Sequence, residues 1–435
     1  MPDPLPHLLR WAFPLLAAAT WLLVPLYAAV QRGRSFAVFS TVTFGISLAG
    51  ALAVHVRLPG WVGPAALPWV DLASAAAIAA TGVHYAHLVR ARLRGELFRL
   101  LVSVPGQAFV AASFLATFWL LALLAVRGPL WLLGLGGFDT EPLLAALRPL
   151  DVAPYAIGLV ALATSARPVH EVVRVRLGDD DPERLTRVPV ERHRGRAPAP
   201  LAERPLRIVQ ITDPHLGPWQ PVSRLAALVD RLVDRDPDLV LLTGDFLTME
   251  SNATPGALER ALAPLRRVPD RCYAVFGNHD HEAPDEVRGA LAANGVELLV
   301  DAATLAGTEA GPVQIVGADF VRRDRDAHLR ELLRAHPRLD GHLRLLLLHD
   351  PSAFHHLPDD DVDLVLSGHT HGGQVGLVSL GLDWTVLSMF GTRMPDHGLF
   401  ARGRARLYVH RGTGFYGFPL RVGVPGEASV LELIR

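Results

Sequence analysis

The stretch "LRIVQITDPHLG", residues 206–217, changes character halfway along. Its first six residues read as a largely buried strand, and the chain then turns polar at Thr212, Asp213 and His215, with Pro214 wedged between the acid and the histidine. An aspartate and a histidine two positions apart just past a strand are either a polar turn or half of a metal site. Pro214 predicts an extended Asp213, which would put both side chains on one side. It also withdraws one backbone N–H from the loop.

The same design recurs downstream. "DLVLLTG" (238–244) runs into Asp245, "CYAVFG" (272–277) into Asn278 and His279, "LRLLLL" (343–348) into His349, and "VDLVLSG" (362–368) into His369 and His371. Between these runs lie helical patterns: Leu225, Leu228, Val229, Leu232 and Val233 at helical spacing, and further helices near 256–266 and 326–335. The alternation predicts a layered α/β domain, sheets flanked by helices, over residues 206–435. Ligands of open α/β sheets bind at the carboxyl ends of strands, so side chains from five distant segments can converge there.

Each fragment alone is weak evidence, because "TGD", "GNHD" and "GHTH" also occur as ordinary turns. Together they are acids, an amide and several histidines on loops behind buried strands, a poor way to build a core and a natural way to hold cations. The donor mix suits Mn, Fe or Zn and is too rich in nitrogen for calcium.

With these blocks in order, the chain resembles the calcineurin-like metallophosphoesterases, whose pattern is D-x-H, G-D, G-N-H-D/E, a lone histidine and G-H-x-H. The endings "SGHTHGGQ" (367–374) and "RGTGFYGFPLR" (411–421) look most like the bacterial membrane-associated branch, which includes phosphodiesterases and UDP-diacylglucosamine hydrolases. The resemblance implies two divalent ions: Asp213, His215 and His371 on one, Asn278, His349 and His369 on the other, and Asp245 bridging. His279 would stabilise the transition state or act as general acid, with Asp280 orienting it. The reaction implied is hydrolysis of a phosphodiester or pyrophosphate bond by a metal-bridging hydroxide. Family members usually carry an apolar residue where Pro214 stands. Arg421 is expected either near a substrate phosphate or in solvent.

The first 170 residues differ in kind. The chain has 435 residues, half of them hydrophobic, and a mean hydropathy of +0.27, high for a wholly soluble protein. Apolar runs at 12–30, 36–56, 69–89 and 108–126, with a shorter one at 152–166, predict an α-helical membrane domain of four to five spans over residues 1–170. Residues 171–205 read as a juxtamembrane hairpin, from "VVRVRL" (172–177) and "LTRVPVE" (185–191), followed by an Arg-, Pro- and Ala-rich linker. Arg32 and Arg34, then Arg90, Arg92, Arg94 and Arg99, make the odd loops basic and therefore cytoplasmic. In the inner membrane, five spans would leave the hydrolytic domain cytoplasmic and four would leave it outside.

Composition excludes several chemistries. All 42 basic residues are arginine, so Schiff-base catalysis and a lysine-bearing phosphate loop are ruled out. The single cysteine, Cys272, excludes an internal disulfide. A net charge of -1 gives no case for nucleic acid as partner. The expected partners are a phosphate-ester or diphosphate substrate, lipid-linked by proximity to the bilayer, and the membrane itself. A phosphoprotein would suit the metal chemistry too. A transporter or sensor is the reading from another class, and His55, Asp71, His84 and His87, all toward span ends, speak against a transport path.

Overall fold

The computed structural model describes residues 5–178, 182–195, 198–392 and 394–434. Its contacts divide the chain into two units, Met1–Ala163 with Phe418–Leu420, and Thr164–Gly417 with Arg421–Arg435.

The first unit is helical: α1 (Leu5–Gln31), α2 (Arg34–Arg57), α3 (Leu67–Leu88), α4 (Val104–Leu135) and, at its end, α5 (Ala153–Ser165). Among the described residues four stretches, Leu9–Gln31, Arg34–Gly60, Glu96–Leu135 and Glu141–Ser165, are long and apolar enough to cross a membrane. The weakest expected run thus belongs to one of these. The run at 69–89 does not, although α3 is helical for 22 residues, because Asp71, His84 and His87 dilute its apolar character. α3 nevertheless packs along α1 and α4. Small residues let these helices approach closely: a side chain at Gly106 would strike the backbone of Ala80 at 2.9 Å, and one at Gly50 the backbone of Thr117 at 2.5 Å. Large apolar side chains such as Leu22, Leu23, Val38, Leu121 and Leu124 face outward, the pattern of a bundle solvated by lipid rather than water. His55 and Asp71 do sit toward helix ends, yet both are buried, facing each other at 3.8 Å.

The second unit is built on two seven-stranded sheets. In chain order its strands are β1 (Val169–Arg176), β2 (Thr186–Val188), β3 (Glu191–Arg194), β4 (Leu206–Ile211), β5 (Leu239–Leu242), β6 (Cys272–Ala274), β7 (Glu297–Leu298), β8 (Ala302–Thr308), β9 (Gly311–Ala318), β10 (Leu343–Leu348), β11 (Leu364–Ser367), β12 (Gly398–Arg402), β13 (Ala405–Val409) and β14 (Glu427–Ile434). One sheet runs β3-β1-β14-β4-β5-β6-β7 and the other β2-β12-β13-β11-β10-β9-β8. Between them lies a core of Val173, Ile208, Leu241, Val275, Ile315, Leu345, Leu366, Tyr408 and Leu431. On the outside of the second sheet, helix α9 (Arg325–Ala335) packs Leu329, Leu332 and Leu333 against Leu346 and Val365. α6 (Val222–Val233), α7 (Ala257–Leu262) and α8 (Pro284–Ala293) precede it in the chain, and α6 buries Leu225, Leu228, Val229, Leu232 and Val233. β4, β5 and β6 are mutually parallel, as are β9, β10 and β11, so the strands that precede the polar loops all deliver them at carboxyl ends.

The expected hairpin in 171–205 takes another form. β1 joins β14 in parallel and β3 antiparallel, with Arg174 opposite Glu191, while β2 leaves for the other sheet and pairs with β12. The run 185–191 therefore splits between two sheets. Ion pairs explain the choice: Arg192 and Arg194 of β3 both reach the buried Glu171 of β1, and Arg411 reaches Glu171 and Glu427. A buried carboxylate must be matched by hydrogen-bonding cations, and this pairing supplies them.

Candidate metal centre

Every polar loop singled out in the sequence ends in one crevice. β4 delivers Asp213 and His215, β5 Asp245, β6 Asn278 and His279, β10 His349, and β11 His369 and His371. Asp213, His215 and His371 present donor atoms all within 4.8 Å of one another, and so do Asp245, His349 and His369. His215 and His371 approach at 3.1 Å between their Nε2 atoms, and His369 Nδ1 lies 3.2 Å from His349 Nε2.

The backbone is bent to achieve this. Asp213 (φ 50°), His215 (φ 45°), Asp245 (φ 58°), His369 (φ 69°) and His371 (φ 53°) all occupy the left-handed region, which non-glycine residues enter at a cost of order 1–3 kcal/mol each and which clusters at functional sites. The extended Asp213 expected from Pro214 is thus overturned: Asp213 N bonds to Gly244 O at 2.9 Å and Asp213 O accepts from Gly414 N at 3.0 Å, and these tertiary bonds outweigh the local preference of a residue before proline. The glycines next to the donors answer to space. A side chain at Gly368 would meet the Asp213 carboxylate at 2.2 Å, and one at Gly277 the Asp245 carboxylate at 2.2 Å.

Hydrogen bonds fix the donors. Backbone carbonyls accept from His349 Nδ1 (Thr243 O, 2.7 Å) and His215 Nδ1 (Leu247 O, 3.3 Å), which leaves the Nε2 atoms of both rings pointing to the cluster. The Asp213 carboxylate accepts from Thr212 Oγ1 and His369 N. Asp280, expected to orient His279, instead accepts from the backbone N–H of Asp245 (2.7 Å), Phe246 (2.8 Å) and Gly277 (2.8 Å), tying the loops after β5 and β6 together. The partner of His279 is Glu282, whose Oε1 lies 3.0 Å from Nδ1. Arg421 is neither solvated nor open to a substrate: it is fully buried, donating to the carbonyls of His371, Gly414, Arg411 and Val424.

Electrostatics ask for positive charge. Burial and the neighbouring Asp245 push the Asp213 carboxyl up to about 6 and Asp280 up to about 7. Asp245 itself is held below the usual carboxylate range, the His349 imidazole 3.2 Å away outweighing its burial. His349 is pushed up to about 10 by Asp245 despite being buried, which marks where a cation is wanted. His215 and His369 are held down to about 4 by burial, keeping lone pairs free at neutral pH. Asn278 Oδ1 is buried and has no hydrogen-bond partner among the described residues, as expected of an oxygen reserved for an ion. The donor set therefore fits a pair of divalent cations.

Two residues escaped the sequence reading. Tyr416 stacks on the His279 ring, centroids 4.4 Å apart and planes at 27°, and Gln374 holds it by bonding both its N–H and its carbonyl. Phe320 packs beside His349 and His369 on the other side. The "GGQ" and "GFY" segments were visible, but only the fold brings them to the donors.

Comparison with known proteins agrees with this geometry. Calcineurin-like phosphoesterases match residues 206–373. The metallophosphoesterase YkoQ of Bacillus subtilis, itself uncharacterized, is 30% identical over 245 residues, which covers 53% of this chain and 85% of that one. The chain belongs to the calcineurin-like phosphoesterase family. Other family members similar to it are phosphodiesterase YaeI of Escherichia coli, 28% identical over 236 residues (53% of this chain, 83% of that one), and the UDP-2,3-diacylglucosamine pyrophosphatase LpxG of Chlamydia trachomatis, 28% identical over 265 residues (48% and 78%). As a calcineurin-like phosphoesterase the chain is a hydrolase, and divalent metals are the cofactors of its family.

Asp280 carries a prediction about this calcineurin-like unit. Asp280→Ala leaves three buried N–H groups without acceptors, at about 1–3 kcal/mol each, and is expected to lower stability by about 4 kcal/mol. The check is urea unfolding, where the midpoint should fall while the slope holds. An unchanged midpoint would show that the loops after β5 and β6 do not depend on it.

Proposed function

We propose that this chain is a membrane-anchored phosphoesterase that uses two divalent ions, Mn, Fe or Zn, to hydrolyse a phosphodiester or pyrophosphate bond. Asp213, His215 and His371 would hold one ion, and Asn278, His349 and His369 the other, with Asp245 shared. The observation that carries this reading is the reach of one carboxylate: Asp245 Oδ2 lies 3.2 Å from His349 Nε2 and 3.8 Å from His215 Nε2, one histidine from each triad. When bound, such an ion pair supplies Lewis-acid charge to phosphoryl oxygens and activates water near neutral pH.

The chain's own side chains do the rest. Asp245 would hold the like charges of two ions close, and Asp280 anchors the backbone from which Asp245 projects. His279 has Nδ1 committed to Glu282, so its Nε2 is the nitrogen available to donate to a leaving oxygen. Tyr416, packed on His279 and 5.1 Å from His215 between ring centroids, screens that imidazole from water.

The names of two relatives, a phosphodiesterase and a pyrophosphatase of a diacylated sugar nucleotide, together with apolar helices in the same chain, favour a lipid-linked diester or diphosphate. The full-length protein, stripped with chelator and reloaded with Mn, is expected to hydrolyse bis-aryl phosphate faster than the mono-aryl ester, with UDP-diacylglucosamine as a further arm. Failure of all three substrates to show Mn-dependent turnover would sink the reading.

The reading extends to placement in the inner membrane. Counting α3, whose 22 residues span about 33 Å at ~1.5 Å per residue, the chain crosses five times and the basic loops and the hydrolase share the cytoplasmic side. A C-terminal alkaline phosphatase fusion should then be inactive and a C-terminal fluorescent protein bright. The reverse pattern would remove α3 or Glu141–Ser165 from the crossings.

A further inference from the structure

The second unit buries its large apolar side chains with one exception. Among its described residues the exposed ones are Leu305, Leu339 and Tyr416, scattered along the chain, and then Leu380, Leu382, Trp384, Met389 and Phe390 in one short stretch. Phe390 is 81% exposed and Leu380 75%. Apolar groups gathered in this way on a folded surface mark a place of contact.

The stretch is held in shape. It leaves the metal centre at Gln374, just after His371, and turns back on itself, with Leu377 N donating to Trp384 O at 2.7 Å. Thr385 is fully buried, its hydroxyl accepts from Ser388 N at 3.3 Å to cap the helical turn Val386–Met389, and it donates to Asp396 Oδ2. The single ionisable side chain between 375 and 392 is Asp383, which lies 3.9 Å from Arg187 Nη1 and 3.7 Å from His397 Nε2.

The base of the stretch shows what it faces. Gly376 N donates to Val422 O at 2.9 Å, and Ser379 N to Gly423 O at 2.8 Å. The residue before these acceptors, Arg421, is tied to the end of α5: Thr164 Oγ1 donates to Arg421 O at 2.6 Å, and Arg421 N donates to Ser165 Oγ at 3.0 Å. α5 completes Glu141–Ser165, which is long and apolar enough to cross a membrane, and a crossing helix ends at the bilayer boundary.

We propose that residues 375–392 dock on the bilayer, with Leu380, Leu382, Trp384, Met389 and Phe390 entering the boundary between headgroups and acyl chains. The proposal rests on the reading of Glu141–Ser165 as a crossing helix. Tryptophan among aliphatic side chains suits that boundary, where an aromatic ring sits at headgroup level and apolar side chains reach below it. A protein interface favours arginine and a polar rim, and residues 375–392 contain no arginine. Docking would hold Gln374, which bonds Tyr416 beside His279, close to the lipid surface. A phosphoester borne by a lipid would then reach the donors while its chains stay in the membrane.

The test uses the full-length protein in lipid nanodiscs. Cys272, the single cysteine, is 1% exposed and burial pushes its thiol up to about 12, so an added surface cysteine takes the label. One fluorophore is attached in turn to Leu382→Cys, Leu305→Cys on β8 and Leu124→Cys on α4, all at exposed positions. Nitroxide-bearing lipids should quench the labels at 382 and 124 and spare the one at 305. At 382 the loss of emission should be greater with the nitroxide near the headgroups than near the chain ends, as insertion by ~5–10 Å requires. Quenching at 124 alone would overturn the docking and leave the crossing helices standing, whereas quenching at none of the three would remove both. Equal quenching at 382 and 305 would overturn it as an affinity of the label for lipid. Shielding of 382 from a water-soluble nitroxide without quenching by lipid would also overturn it and assign the surface to a protein partner. No turnover is measured, so the outcome is separate from that of the phosphoesterase reading.

Discussion

Asp245→Asn is expected to give a folded protein that holds at most one divalent ion per chain and hydrolyses a diester more than about 10²-fold more slowly, since a lost Lewis-acid contribution is worth several kcal/mol. The substitution keeps the shape of the side chain and an oxygen to accept from His279 N, which bonds Asp245 Oδ1 at 2.8 Å. What it would remove, on the proposed reading, is the shared charge. Two dications about 4 Å apart repel by on the order of 16 kcal/mol at an effective dielectric constant of ~20. Asp245 reaches histidines of both triads, so on the proposed reading it would offset that repulsion more than a donor confined to one triad. Asp213→Asn, with Asp213 confined to one triad, should cost less metal. Metal content by elemental analysis, read beside Mn-dependent turnover, decides: two ions and full activity in Asp245→Asn would remove the bridging role.

The candidate donors were legible in the sequence because each lies one to five residues past an apolar run. What the sequence could not show was how the chain bends to present them. Pro214 argued for an extended Asp213, and the fold placed it at φ 50° because two tertiary backbone bonds, to Gly244 and Gly414, hold it there. Arg421 carries no local sign of burial, since its partners are carbonyls of residues at 371, 411, 414 and 424, brought together by the loop after β13. The run 185–191 looked like a hairpin partner on periodicity alone, yet it is the buried Glu171 that recruits Arg192 and Arg194 and sends the residues before them to the other sheet. In the helical unit the apolar runs were plain from composition, whereas the burial of His55 against Asp71 depends on which faces of α2 and α3 meet. Periodicity cannot supply that when the apolar stretch covers every face of a helix.

His279→Ala should leave metal content intact and slow an alkyl phosphodiester by about 10²–10⁴-fold, the usual worth of a general acid. An aryl diester whose leaving group departs without a proton should lose far less. That split separates proton donation from a purely structural role, which would slow both substrates alike. Glu282 extends the argument, because the hydrogen bond from His279 Nδ1 to Glu282 Oε1 at 3.0 Å fixes the ring and commits its other nitrogen to the crevice. The same bond and the nearby Asp245 raise His279 above the ordinary histidine value against the opposing effect of burial. Glu282→Ala is expected to cost about tenfold on the alkyl ester, at the low end for loss of a partner that orients a working side chain, and Glu282→Gln, which keeps an acceptor oxygen, less. Steady-state kcat on both substrates checks the series. If alanine at 279 slowed alkyl and aryl esters equally, His279 would be a packing partner for Tyr416 and the proton would have to come from elsewhere.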